Sequence, residues 1–416
     1  MDQSIKGESD RWDLLFIHAD LATMAEGKYN TIKDGALAVS NGKIAWTGSV
    51  DELADSPKNL ASKIINCNGK WILPGFVDCH THMVWAGSRA NEFEMRLSGA
   101  TYEEISKKGG GIFSTVKAVR QASQNELFEA ASKRMQHFLS QGITCVEIKS
   151  GYGLDLENEL KMLCVAGRLD NTFPVHVETT FLGAHTLPKE YAGQADDYVD
   201  LVTQTMLPEV KAQGIASAVD VFCETIAFSA AQTKTVFQAA SDMGFRVKLH
   251  AEQLSDSGGT ELASQFNALS CDHLEYLSEN GAKAMADKDI TAVLLPGAFY
   301  MLKETQKPPV DLLRNLHIPM ALATDLNPGT SPVFGMTPVM NMGCLLFGMT
   351  CEEALAGATI YGAKALGLDH CKGSLEKGKD ADLVIWDIGS PADLSYQVGV
   401  TPVDTVVISG EIAYKA

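Results

Sequence analysis

The chain has 416 residues, 45% hydrophobic and 21% charged, which is enough to bury a large core and excludes a disordered or fibrous chain. Its 34 basic and 52 acidic residues give a net charge of −18, which repels phosphate backbones and anionic membrane surfaces, so neither nucleic acid nor a membrane is an expected partner. No apolar run approaches the roughly 18 residues of a membrane span, residues 1–12 lack the pattern of an export signal, and nine scattered cysteines without a C-x-x-C spacing fit a reducing cytoplasm.

From Asp13 to Leu73, short β-type runs alternate with turn signals: LLFIHAD, ALAV, an Asn41-Gly42 turn, KIAWTGS, and KIINC before Asn68-Gly69. The same texture returns after Gly373 in ADLVIWD and VDTVVISG. Neither end has enough strands for a buried β domain of its own, so the two ends, 1–73 and 371–416, are expected to meet in one small β-sandwich domain. Between them, 74–370 alternates β-branched runs with longer helical stretches, the pattern of a parallel sheet.

The runs number eight: ILPGFVD (72–78), ITCVEIK (143–149), PVHVETTF (174–181), AVDVFC (218–223), RVKLH (246–250), LSCDH (269–273), ITAVLL (290–295) and PMALATD (319–325). Helical intervals include Asn125 to Gln141, Glu157 to Leu169 and Ala230 to Met243, the last stopped by Gly244. Eight β/α units predict a closed (β/α)8 TIM-like barrel. An open doubly wound sheet is the competitor, but no strand leads into G-x-G-x-x-G. The methionine-rich stretch Met340 to Met349 reads as core packing.

In such a barrel the C-terminal strand ends build the active site. His80 and His82 follow the first run in VDCHTH, and residues two apart share a face, so both imidazoles can reach one ion. An H-x-H arises by chance in about one chain in five with this many histidines. His250, His273 and Asp325, however, close runs five, six and eight at the same end. Any one of these alone is as readily a hydrogen-bonded strand end; five together are not. Three imidazoles and a carboxylate with a position left for water suit one divalent ion, Zn(II) or Fe(II). A second ion usually needs a bridging ligand, often a modified lysine on strand four, and AVDVFCE has none. Such an ion brings a water's pKa toward neutrality, which makes hydrolysis the natural reaction.

PGFVDCHTH, ATDLNPGT and the flanking β segments resemble the metal-dependent amidohydrolase superfamily across nearly the whole chain. WAGSRANEFEMRLSGATYEEISKKGGGI (85–112), SGYGLD, FLGAH and KLHAEQLSDSGG closely resemble the imidazolonepropionase family of histidine degradation. The resemblance implies hydrolysis of 4-imidazolone-5-propanoate to N-formimidoyl-L-glutamate, with the ring opened at its amide C–N bond, in a homodimeric enzyme.

On that reading His80, His82, His250 and Asp325 hold the metal. Asp325 also shuttles the proton, and His273 polarises the carbonyl and stabilises its oxyanion. Arg89 pairs with the propionate, although a lone arginine is more often a surface ion pair. Tyr152 and His185, otherwise loop packing, contact the substrate, while Asn327, Gly329 and Thr330 hold the new carboxylate end through the turn's N–H groups. Gly109 to Gly111 lack the Lys-Ser/Thr of a phosphate loop and read as a flexible turn over the site.

Related deaminases carry a glutamate three residues after the strand-five histidine. Gln253 stands there, and both residues occur in the imidazolonepropionase family, so Gln253 is assigned to substrate binding. Neighbouring Glu252 faces away if the strand continues through it. The alternatives are a purine- or pyrimidine-type deaminase on the same metal frame, against which Gln253 and Arg89 speak, and a non-catalytic binding barrel, against which the intact ligand set speaks.

Overall fold

The architecture is taken from a computed structural model, which describes residues 11–99 and 110–416. Among the described residues, two eight-stranded sheets account for the strands. The first begins with β1 (Trp12–Ala22), β2 (Thr31–Ser40), β3 (Lys43–Ser49), β4 (Ala61–Asn66) and β5 (Trp71–Pro74). Asn41 and Gly42 both take positive φ, 51° and 71°, the twist a two-residue hairpin needs, and β2 and β3 pair antiparallel across them.

The chain's other end supplies β14 (Leu383–Trp386), β15 (Val403–Ile408) and β16 (Glu411–Lys415), and β14 joins β5 antiparallel. The order is β16-β15-β14-β5-β1-β2-β3, with β4 on β1. Both chain ends thus meet, in one continuous mixed sheet. Alternation gives it an apolar cluster on each face: Leu14, Phe16 and Leu37 in one, Leu15, Ala36 and Ala38 in the other.

The second sheet is the barrel. Its parallel strands are β6 (Phe76–Asp78), β7 (Ile143–Lys149), β8 (His176–Ala184), β9 (Ala218–Cys223), β10 (Arg246–Ala251), β11 (Ser270–His273), β12 (Thr291–Leu294) and β13 (Met320–Leu322), neighbours in chain order. Each contains or lies within one of the eight runs to within three residues, except that the first run divides. Its residues 72–74 belong to β5 of the mixed sheet, and only Phe76–Asp78 enters the barrel. Gly75 makes the crossing, since a Cβ there would lie 2.2 Å from Thr144 Oγ1. The seam between β6 and β13 is drawn together beyond the strand ends by His82 N–H to Leu326 O and Asp325 N–H to His80 O, both 3.0 Å.

Helices Gln124–Ser140, Leu156–Asp170 and Ala230–Asp242 cover the outside, opened by the side-chain caps of Ser123, Asp155 and Ser229. The methionine-rich stretch begins inside the helix Met336–Phe347, and Met336, Met340 and Met349 are buried. All nine cysteines are free. Among the described residues no helix is long and apolar enough to cross a membrane.

Candidate metal centre and active site

The barrel interior is not the apolar packing its strand composition suggests. Glu147, Lys149, Asp220, Lys248 and Asp272 are all fully buried. Lys149 Nζ lies 2.6 Å from Asp220 and 3.0 Å from Glu147; Lys248 Nζ donates to Glu147 at 2.8 Å and to the Cys79 carbonyl at 2.8 Å. Burial works against the charge on Lys149, but Asp220, Glu147 and Asp272 outweigh it and raise its pKa. These side chains pair with one another because none of them finds water.

This charged floor orients the histidines above it. His80 Nδ1 is 2.6 Å from Asp272 Oδ2. Burial raises the Asp272 carboxyl, but the Lys248 and Lys149 ammonium groups, 3.9 and 3.6 Å from the same oxygen, oppose that. An accepting carboxylate fixes the proton on Nδ1 and leaves the Nε2 lone pair free. His250 Nδ1 lies 2.9 Å from Asp220 Oδ2 but makes no hydrogen bond of good geometry to it. The Nε2 atoms of His80 and His250 are buried and have no hydrogen-bond partner.

Those free nitrogens converge with the other expected ligands. Asp325 Oδ1 is 3.6 Å from His80 Nε2 and 3.5 Å from His82 Nε2. Ligand atoms of His80, His82 and Asp325 lie within 4.8 Å of one another, and so do those of His80, His250 and His273. His80 belongs to both sets, and the His82 and His250 rings lie 5.6 Å apart. Burial is the main cause that depresses the pKa values of His80, His82 and His273, reinforced by Lys149, His185 and His250 respectively, and keeps the rings neutral. Burial likewise raises the Asp325 carboxyl. Unpartnered, buried, neutral imidazoles facing a carboxylate are the donor set a divalent cation requires, and the residues fit one.

Local backbone strain helps to set the site. His273 has φ 87° and Asp325 φ 50°, left-handed values that turn both residues at their strand ends. Glu252 has φ 49°, so the chain has left β10's alternation there. The Glu252 carboxylate accepts from the N–H groups of Gly259 and Thr260, at 2.8 and 3.3 Å, while Gln253 lines the cavity.

That cavity holds about 530 Å³, and His82, His250, His273 and Asp325 form its base. Its walls carry Arg89, Tyr152, His185, Gln253, Asn327 and Thr330, all expected there. His185 Nδ1 donates to the Gly151 carbonyl at 3.0 Å, which leaves its Nε2 as an acceptor, and its ring stacks on His82 at 5.1 Å. Burial holds the His185 pKa down at about 4 and raises that of the Tyr152 phenol.

The turn after Asp325 departs from expectation. Asn327 Oδ1 accepts the N–H groups of Gly329, Thr330 and Ser331, at 2.8, 2.7 and 3.3 Å, so these are committed inside the turn and not offered to an anion. Asn327 Nδ2 donates to the Asp325 carbonyl at 2.7 Å and so braces that residue. Gly329 is not on the cavity wall. It lies behind Arg89. Of the glycines 109–111, Gly109 lies outside the described residues; Gly111 donates its N–H to Glu92.

The charged floor is what sequence reasoning missed. Its signal was present: Glu147 and Lys149, or Lys248 and His250, two residues apart in runs otherwise fit for burial, place ionisable groups on one inward face.

Residues 71–413 match the model of the amidohydrolase family. The chain is 54% identical over 404 residues to the imidazolonepropionase of Colwellia psychrerythraea, covering 96% of this chain and 97% of the relative. It is also 54% identical over 401 residues to that of Serratia proteamaculans, covering 96% and 98%. Among solved structures, it superposes on a 5-methylcytosine deaminase from Klebsiella pneumoniae with TM-score 0.74 and 16% identity, covering 97% of each chain. An adenosine deaminase from Xanthomonas campestris with bound zinc gives TM-score 0.72 and 18% identity, covering 97% of this chain and 93% of the other. At such identities these structures support the fold alone. The sequence relatives go further: the chain belongs to the imidazolonepropionase family of amidohydrolases.

Proposed function

We infer that the protein hydrolyses 4-imidazolone-5-propanoate at the ring amide C–N bond to give N-formimidoyl-L-glutamate, a step of L-histidine degradation. The observation that supports this reading is a pair of overlapping ligand groups, His80 with His82 and Asp325 and His80 with His250 and His273, beside a cavity that His82, His250, His273, Asp325 and Arg89 line. His80, His82, His250 and Asp325 hold one divalent ion, Zn(II) or Fe(II). When bound, the ion supplies Lewis acidity and a water acidic enough to be a nucleophile near neutral pH.

The chain's own groups do the rest. Arg89 takes the propionate and holds the ring over the base of the cavity. Tyr152, His185 and Gln253 offer hydrogen bonds to the ring and its substituent. His273, neutral in this buried setting, donates to the carbonyl oxygen as negative charge develops on it. Asp325 takes the proton released by the attacking water and passes it to the departing ring nitrogen. Asn327 keeps Asp325 in place. A homodimer in the cytoplasm completes the proposal.

Incubation of the metal-loaded protein with imidazolonepropionate tests it by product. Formimidoylglutamate without ammonia is expected; ammonia release would indicate a deaminase, and neither product a binding protein.

A further inference from the structure

Arg89 precedes the helix Ala90–Leu97 and is held from two sides. Its Nε donates to Glu92 Oε2 at 3.0 Å. Glu92 is itself fixed, because Oε2 also accepts the Gly111 N–H at 3.1 Å and Oε1 accepts the Ser114 hydroxyl at 2.8 Å. Burial raises the Glu92 carboxyl, but the bonds from Ser114 and Gly111 and the charge of Arg89 outweigh it and hold the group ionised. On the other side the guanidinium lies against Gly329, where a Cβ would fall 1.9 Å from Nη1 and 2.6 Å from Cζ. A free arginine side chain samples many rotamers. This one has its Nε edge occupied and its flank set by a residue without a side chain, which leaves the terminal nitrogens for a carboxylate. The neighbouring backbone N–H groups are already spent on Asn327, so no other donor of that turn competes for the anion.

We propose that Glu92 is a positioning residue and Gly329 a specificity-determining one. Together they fix the Arg89 guanidinium, so the enzyme selects ring substrates whose carboxylate stands one short, fixed arm from the ring. The proposal rests on reading Arg89 as the anchor of that carboxylate. It concerns residues that lie behind the cavity wall and touch no reacting atom.

The test compares KM and kcat of Glu92→Ala, Glu92→Gln, Gly329→Ala and Arg89→Ala on the substrate and on its side-chain carboxamide. Glu92→Ala and Gly329→Ala are expected to raise KM for the acid roughly tenfold, with kcat within about threefold of the parent. Glu92→Gln keeps an acceptor for Nε and is expected to recover most of that loss. On the carboxamide, which has no charge to offer Arg89, Glu92→Ala and Gly329→Ala are expected to match the parent. Equal losses on acid and carboxamide, or an unchanged KM for the acid, would overturn the proposal. If Arg89→Ala abolishes the preference for acid over carboxamide while Glu92→Ala and Gly329→Ala preserve it, the positioning proposal alone fails. If Arg89→Ala leaves that preference intact, the anchoring role itself is wrong.

Discussion

His80 Nδ1 and Asp272 Oδ2 lie 2.6 Å apart with both side chains fully buried, and this one contact decides which nitrogen of His80 can face a cation. Asp272→Asn replaces the acceptor with a group whose NH₂ can turn toward Nδ1 and favour the wrong tautomer. Metal affinity is expected to fall about 10–100-fold. Competition against a chromogenic chelator measures it, and an unchanged affinity would remove Asp272 from the site's design.

Lys149 bears on stability in the same floor. Its ammonium sits among Asp220, Glu147 and Asp272 with no exposure to water. Lys149→Met leaves those carboxylates short of a counter-charge, and removing one partner of a buried ion pair costs about 3–5 kcal/mol. Urea unfolding of metal-free protein reads the difference. A loss below about 1 kcal/mol would mean that the remaining lysine compensates.

Glu275 gives a pH dependence with a definite sign. Burial, with smaller contributions from Glu304 and Asp325, raises its carboxyl to about 8, and one of its oxygens has no partner. The folded protein therefore keeps a proton that the unfolded chain has released between pH 4.5 and about 8. Glu275's contribution to stability is full below pH 4.5 and is lost as pH rises through about 8. Glu275→Gln mimics the protonated form. In metal-free protein it is expected to exceed the parent's stability by roughly 4 kcal/mol at pH 8, a margin that vanishes toward pH 4.5. A margin independent of pH would show that Glu275 is not the titrating group.

Arg89→Ala separates substrate binding from metal binding. Arg89 lines the cavity but is not among the clustered ligand residues, so KM is expected to rise about 10–100-fold with metal content unchanged. Parallel loss of metal and substrate affinity would contradict its assigned place.

The barrel was legible because eight buried strands leave eight β-branched runs, and the residues clustered at one rim were legible because His250, His273 and Asp325 close such runs and His80 and His82 follow one. The division of the first run at Gly75 was not, since ILPGFVD reads as one strand and only the approach of Thr144 reveals the crossing. The turn after Asp325 misled for a similar reason. N–H groups in DLNPGT look available to an anion until Asn327 Oδ1 is placed among them. Glu92 escaped notice because its partners, Arg89, Gly111 and Ser114, come together only in the folded chain.

The most direct test is anomalous X-ray scattering from crystals of the metal-loaded protein, recorded at the zinc and iron edges. One peak is expected, about 2.0–2.2 Å from nitrogens of His80, His82 and His250 and an oxygen of Asp325. A peak elsewhere, a second full peak beside the first, or none at the base of the cavity would contradict a single ion gathered by these four residues.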